Sequence, residues 1–251
     1  MNGPIERASS VAAPARSRSI AVYSLSLVVG LVLPAVGAAL TRSPQHRLLA
    51  LGDSYTIGEG VGAGERWPEQ MTALLAARGV ALAPPQVIAR TGWTTSQLDA
   101  AVAEAAPRGH YALVSLMIGV NNQYRGLPIA DYQREFSALL ERALAFAGGE
   151  PRRVLVLSIP DYGGTPYARR RGLDGARVAA EIDRFNGAAR SATELAGAAW
   201  IDVTPASRRA GSEPALLVSD ELHPSAKLHA EWAAQALPAA LAALQSEESP
   251  R

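Results

Sequence analysis

The hydrophobic pattern of this chain changes character near residue 46. Before that point stands one apolar run, Ile20 to Leu40, without a single charged residue. After it, short β-like runs alternate with longer stretches of helical period. The β-like runs are Arg47–Leu51, Gln86–Arg90, Ala112–Ile118, Arg153–Ile159 and Ala199–Val203. The helical stretches are Pro68–Arg78, Thr95–Ala105, Ala130–Ala147, Ala176–Leu195 and Ser225–Leu244. Within the fourth of these, Val178, Ile182, Phe185 and Ala189 recur at spacings of four and three, which puts them on one face that should pack on a sheet. Strands joined through helices of this length form crossover units. The pattern therefore predicts an α/β domain over residues 46–245: a mostly parallel five-stranded sheet covered by helices on both faces, followed by a short disordered tail at 246–251.

In an open parallel sheet the working crevice lies beyond the carboxyl ends of the strands. The segments found there are Gly52-Asp53-Ser54, Thr91-Gly92-Trp93-Thr94, Gly119-Val120-Asn121-Asn122 and Pro160-Asp161-Tyr162-Gly163-Gly164, with Asp220-Glu221-Leu222-His223-Pro224 following a longer connection. A serine hydroxyl becomes a nucleophile when a base takes its proton and a third group orients that base. Ser54, His223 and Asp220 are the candidates for these three roles. Pro224 suits the first position of the last helix, where its missing N–H costs nothing. Attack on a carbonyl creates an oxyanion that needs donors already aimed at it. The backbone N–H of Ser54, the unobstructed N–H of Gly92 and the side-chain amide of Asn121 are the candidates. Taken singly, each of these loop residues also reads as an ordinary turn or cap.

Composition narrows the choice. The chain has 251 residues and no cysteine, so disulfides, thiolate metal sites and cysteine nucleophiles are excluded. Residues 46–251 carry 20 basic and 22 acidic side chains, which gives nucleic-acid binding little electrostatic support. The histidines show no metal-ligand spacing, and neither a metal nor a cofactor is expected. Gly58 to Ala63 fits a relaxed dinucleotide fingerprint, but the preceding strand has already ended at Leu51 and Pro68 interrupts the helix that should follow, so a loop beside the site is expected. Arg169-Arg170-Arg171 reads as a solvated charge run. Trp93, next to Gly92, is a candidate pocket wall. The leader carries Arg7, Arg16 and Arg18 ahead of the apolar run, which marks a targeting segment. The length of the run favours an uncleaved membrane anchor, whereas Pro34 and the small residues after it offer a signal-peptidase site. Both readings place residues 46 onward outside the cytoplasmic membrane.

Gly52-Asp53-Ser54, Gly92, Gly119-Val120-Asn121 and Asp220 to Pro224, in that order, resemble the four blocks of the SGNH hydrolases, the GDSL esterase and lipase family. The resemblance runs from about Arg47 to about Leu244. It implies a flavodoxin-like three-layer α/β/α sandwich with a small, adaptable site. It further implies Ser54 as nucleophile, Asp220 and His223 completing a triad, and an oxyanion hole from Ser54, Gly92 and Asn121. Where the family commonly has aspartate after its third-block asparagine, this chain has Asn122, which reads as loop support. The Gly-x-Ser-x-Gly elbow of the ordinary α/β-hydrolases is absent. The expected partner is a small-molecule, lipid or carbohydrate ester. An acyltransferase using the same machinery, and a tethered binding module without turnover, are the alternatives.

Overall fold

The computed structural model describes residues 45–245. The leader and the tail at 246–251 lie outside the described residues. Five strands run β1 Gln45–Gly52, β2 Ala83–Ala89, β3 Tyr111–Met117, β4 Val154–Leu157 and β5 Ala199–Ile201. The helices are α1 Ser54–Ile57, α2 Trp67–Ala76, α3 Thr95–Ala105, α4 Val120–Tyr124, α5 Ile129–Phe146, α6 Pro166–Arg170, α7 Gly175–Leu195 and, after β5, α8 Thr204–Arg208 and α9 Ala226–Gln245. Among the described residues no helix is long and apolar enough to cross a membrane.

Every strand pairing is parallel, and the order across the sheet is β2-β1-β3-β4-β5. The chain winds outward from β1 to β2 and then crosses to the other side of β1, so the switch point falls between β1 and β3. Leu48, Leu49, Ala50 and Leu51 of β1 are all fully buried, and so is the whole of β3. Two-sided burial explains why both read as continuous apolar runs rather than alternating ones. Helices α2 and α9 pack together in one outer layer, while α5 packs with α3 and α7 in the other. On α7 the expected stripe of Val178, Ile182, Phe185 and Ala189 is buried. Gly52 pairs with both Ala89 and Met117, so β1, β2 and β3 finish level and deliver their loops to one rim.

Three expectations shift. β2 begins earlier than its pattern suggested and takes in Pro84 and Pro85, which an edge strand tolerates because one side of its ladder is unpaired. β4 and β5 are shorter than expected, because beyond Leu157 the Ser158 side chain accepts from the N–H groups of Val203 and Thr204 in place of a ladder. Pro224 is not the first residue of the last helix. It pairs with Leu217 in an isolated antiparallel bridge, two residues before α9, and its neighbours supply the hydrogen bonds: Val218 N–H donates to the His223 carbonyl and Ser225 N–H to the Leu216 carbonyl. A proline fits there because the bridge asks nothing of its missing donor.

Gly119, two residues beyond β3, has φ of 134°, and a Cβ there would stand 2.6 Å from the Tyr132 ring, which is fully buried. The Gly119→Ala substitution combines positive-φ strain with overpacking, and a loss of roughly 2–4 kcal/mol is expected. A urea titration comparing the midpoints of the two proteins checks this. An alanine variant as stable as the parent would mean that Tyr132 can retreat without cost.

Candidate active site

Ser54 is the first residue of α1, directly after β1. Its predecessor Asp53 caps that helix, with Oδ1 accepting the Tyr55 N–H at 3.1 Å. The serine therefore sits at a strand-to-helix corner whose geometry is held by a fully buried carboxyl group. Gly92 follows β2 at φ of 84°, a left-handed conformation that glycine adopts without strain. Its carbonyl accepts a hydrogen bond from Arg125 Nη2, just beyond α4, which ties the second loop to the third.

Asn121 lies in α4. Its Nδ2 donates to the Trp93 carbonyl at 3.0 Å and, more weakly, to Asp53 Oδ2 at 3.4 Å. Asn122, where the resemblance led to an expectation of loop support, is buried and holds the start of α3: its Oδ1 accepts the Thr95 N–H at 3.0 Å and its Nδ2 donates to Thr95 Oγ1 at 2.7 Å. The Thr95 hydroxyl hydrogen is directed to Glu135, so Oγ1 must accept from its other neighbour. An asparagine amide can both donate and accept here, whereas a carboxylate could only accept.

Asp220 and His223 are joined within one turn. Asp220 Oδ1 accepts the N–H groups of Leu222 and His223 at 2.8 and 2.9 Å, and Oδ2 stands 2.6 Å from His223 Nδ1. Burial pushes the Asp220 carboxyl up, but the hydrogen bonds from the His223 ring and from the two backbone donors outweigh it and hold the group below its ordinary value. Between the pair, Glu221 adopts φ of 62°, unusual for a residue with a side chain. Helix α6 secures this turn: Tyr167 N–H donates to the Glu221 carbonyl, and Arg170 ion-pairs with the Glu221 carboxylate while reaching the Asp220 carbonyl. Arg170, expected to be merely solvated, is thus engaged.

Ser54, Gly92, Asn121 and His223 line a single cavity of roughly 140 Å³. The remaining wall is largely aromatic, from Tyr55, Tyr124, Tyr162 and Tyr167. Trp93 is not part of that wall. It contributes its carbonyl to Asn121 while its ring packs against the core. The four tyrosines escaped sequence reasoning because no spacing links them, although Tyr162 and Tyr124 sit within or next to the loops after β4 and β3. Of the Gly58–Ala63 stretch, Gly58 to Gly62 is loop at the end of α1, as expected, and Ala63 opens a short 3-10 helix.

A GDSL-like lipase/acylhydrolase family model matches residues 50–231, nearly three quarters of the sequence. The chain belongs to that family. The GDSL hydrolase also shares its fold with solved structures. An acetylxylan esterase from Geobacillus stearothermophilus superposes with a TM-score of 0.61 at 20% identity, covering 79% of this chain and 95% of that one. A psychrotrophic esterase from Pseudoalteromonas sp. gives 0.56 at 19% identity, over 80% and 99%. A lipase/acylhydrolase from Enterococcus faecalis gives 0.57 at 19% identity, over 76% and 93%. No curated protein sequence matches the chain. Family and fold together make this protein an ester-hydrolysing serine hydrolase.

Asp53 gives the GDSL hydrolase a measurable signature. Burial pushes its carboxyl up to about 7, against the lowering effect of hydrogen bonds from backbone N–H groups and Asn121. Between its ordinary value of 3.8 and about 7 the folded protein holds a proton that the unfolded chain has released. The contribution of this group to stability therefore falls as pH rises through that window. The urea midpoint of the parent, taken minus that of Asp53→Asn, should fall from about pH 4 to about pH 7 and level off on either side. A difference that does not vary with pH would mean that Asp53 is ionised in the fold.

Proposed function

We propose that this hydrolase is an exported esterase that cleaves carboxylic esters through an acyl-enzyme on Ser54. Ser54 Oγ attacks the ester carbonyl carbon while His223 Nε2 takes its proton, and Asp220 holds the Nδ1–H and balances the imidazolium. The oxyanion is received by the N–H groups of Ser54 and Gly92 and by Asn121, which gives up its longer hydrogen bond to Asp53 for it. Collapse of the tetrahedral intermediate breaks the ester C–O bond, and His223 protonates the departing alcohol. A water, deprotonated by the same histidine, then attacks the acyl-enzyme and releases the carboxylic acid and free Ser54.

The observation that carries this reading is the 2.6 Å contact between His223 Nδ1 and Asp220 Oδ2, made by a histidine that lines one small cavity with Ser54, Gly92 and Asn121. The size of that cavity favours a short acyl group. The fold neighbour named as an acetylxylan esterase is in keeping with such a substrate. Export is supported by the arginines ahead of the apolar run Ile20–Leu40.

The test is labelling of the full chain with a fluorophosphonate, followed by mass spectrometry of the adduct. The adduct is expected on Ser54 and is expected to form far more slowly in His223→Ala. A label on another residue, or equal labelling in that variant, would overturn the proposed roles.

A further inference from the structure

Beside the cavity at Ser54 lies a larger hollow of roughly 440 Å³, and the two share Tyr124 and Tyr162 in their walls. Its lining is of two kinds. Tyr124 and Leu173 offer apolar surface to solvent at 48% and 36% exposure, although exposed large hydrophobic side chains are few among the described residues. Gln123, Asp174, Arg177 and Glu181 supply hydrogen-bonding groups. These polar groups are already ordered. Tyr162 Oη donates to Gln123 Oε1 at 3.0 Å, Gln123 Nε2 donates to Glu181 Oε2 at 2.8 Å, and Arg177 Nε donates to Glu181 Oε1 at 2.8 Å. One chain of hydrogen bonds thus leads from a ring that walls the first cavity into the second.

This mixture discriminates between ligands. A fatty acyl chain would set methylene groups against two carboxylates and a guanidinium, and stripping water from charges costs more than the apolar contact returns. A phosphate or carboxylate ligand would meet two carboxylates and one arginine already committed to Glu181. A neutral sugar satisfies both kinds of wall. Its C–H faces pack on tyrosine and leucine, while its hydroxyls donate to the carboxylates and accept from the guanidinium and the Gln123 amide.

We infer that this hollow is a subsite for a neutral sugar unit, which forms the alcohol portion of the ester cleaved at Ser54. The role of that sugar as the alcohol portion rests on the esterase reading above; the sugar site does not.

The test uses the full chain in two arms. In the first, the Ser54→Ala protein is titrated by calorimetry with xylobiose, as a neutral disaccharide, and with octanoate. Saturable xylobiose binding with a Kd on the order of millimolar is expected, weakened about 10-fold or more by Glu181→Ala and separately by Leu173→Asp, which removes the apolar face, with octanoate binding more weakly. In the second, the protein with Ser54 intact is assayed on acetylated xylobiose and on p-nitrophenyl acetate. The ratio of kcat/KM between them should fall about 10-fold in either substitution. No saturable xylobiose binding, binding untouched by both substitutions, or tighter binding of octanoate would overturn the subsite. Xylobiose binding with no ester cleaved would leave the subsite standing and remove the esterase reading. Cleavage of both esters at a ratio that neither substitution moves would do the reverse.

Discussion

Replacing Ser54 with alanine is expected to lower kcat on a short-chain ester by roughly 10⁴- to 10⁶-fold. The hydroxyl oxygen is the only heavy atom that the substitution removes, and the fold does not depend on it. The capping bond from Tyr55 N–H goes to Asp53 rather than to the serine side chain. The Ser54 carbonyl still accepts from Gly58 and Glu59, because those contacts are made by backbone. Thermal unfolding should therefore be nearly unchanged while turnover collapses, and steady-state kinetics beside a melting curve separates the two effects. Residual turnover within about tenfold of the parent would mean that another group attacks the ester.

The second large effect is expected from Asp220→Asn, a loss of about 10³- to 10⁴-fold in kcat with little change in stability. The reason is directional. Oδ1 of Asp220 accepts two backbone N–H groups, and an asparagine oxygen can go on doing so. That choice leaves the amide nitrogen facing His223 Nδ1, where the carboxylate oxygen now lies at 2.6 Å. Two donors cannot meet there, so Nδ1 must become the acceptor and the ring proton moves to Nε2, the atom that receives the serine proton in the proposed reaction. The variant should bind substrate, resist unfolding like the parent and fail at the first proton transfer. NMR assignment of the ring tautomer checks the cause. A kcat close to that of the parent would show that the carboxylate does not set the tautomer.

The fold was legible because its signals are long. Strands buried on both faces leave unbroken apolar runs such as Leu48 to Leu51, and α7 repeats its stripe over several turns. The two helices that carry Ser54 and Asn121, only four and five residues long, fall below any window in which a period can be measured. The misplacement of Pro224 has a related cause. In sequence the motif reads as local, but the bridge to Leu217 depends on a segment that the turn meets only in three dimensions. At the site, the five residues singled out from strand ends and from family resemblance stand at or beside one cavity. Its tyrosine wall did not announce itself, since an aromatic ring in a loop carries no mark of the surface it faces.

Ser54, Gly92 and Asn121 hang from three neighbouring strands that end level, whereas Asp220 and His223 form a closed unit on a turn of their own. The pair keeps its internal distance whatever the turn does as a whole. Disturbance of the docking made by Arg170, Tyr167 and the Leu217–Pro224 bridge would thus move the Asp220 carboxylate and the His223 ring together, like a latch swinging on its hinge. Only one separation in the machinery, that between serine and histidine, is then free to vary. Damage in this region would show as a protein that retains its paired histidine and its folded sheet yet rarely brings the two halves of its chemistry together.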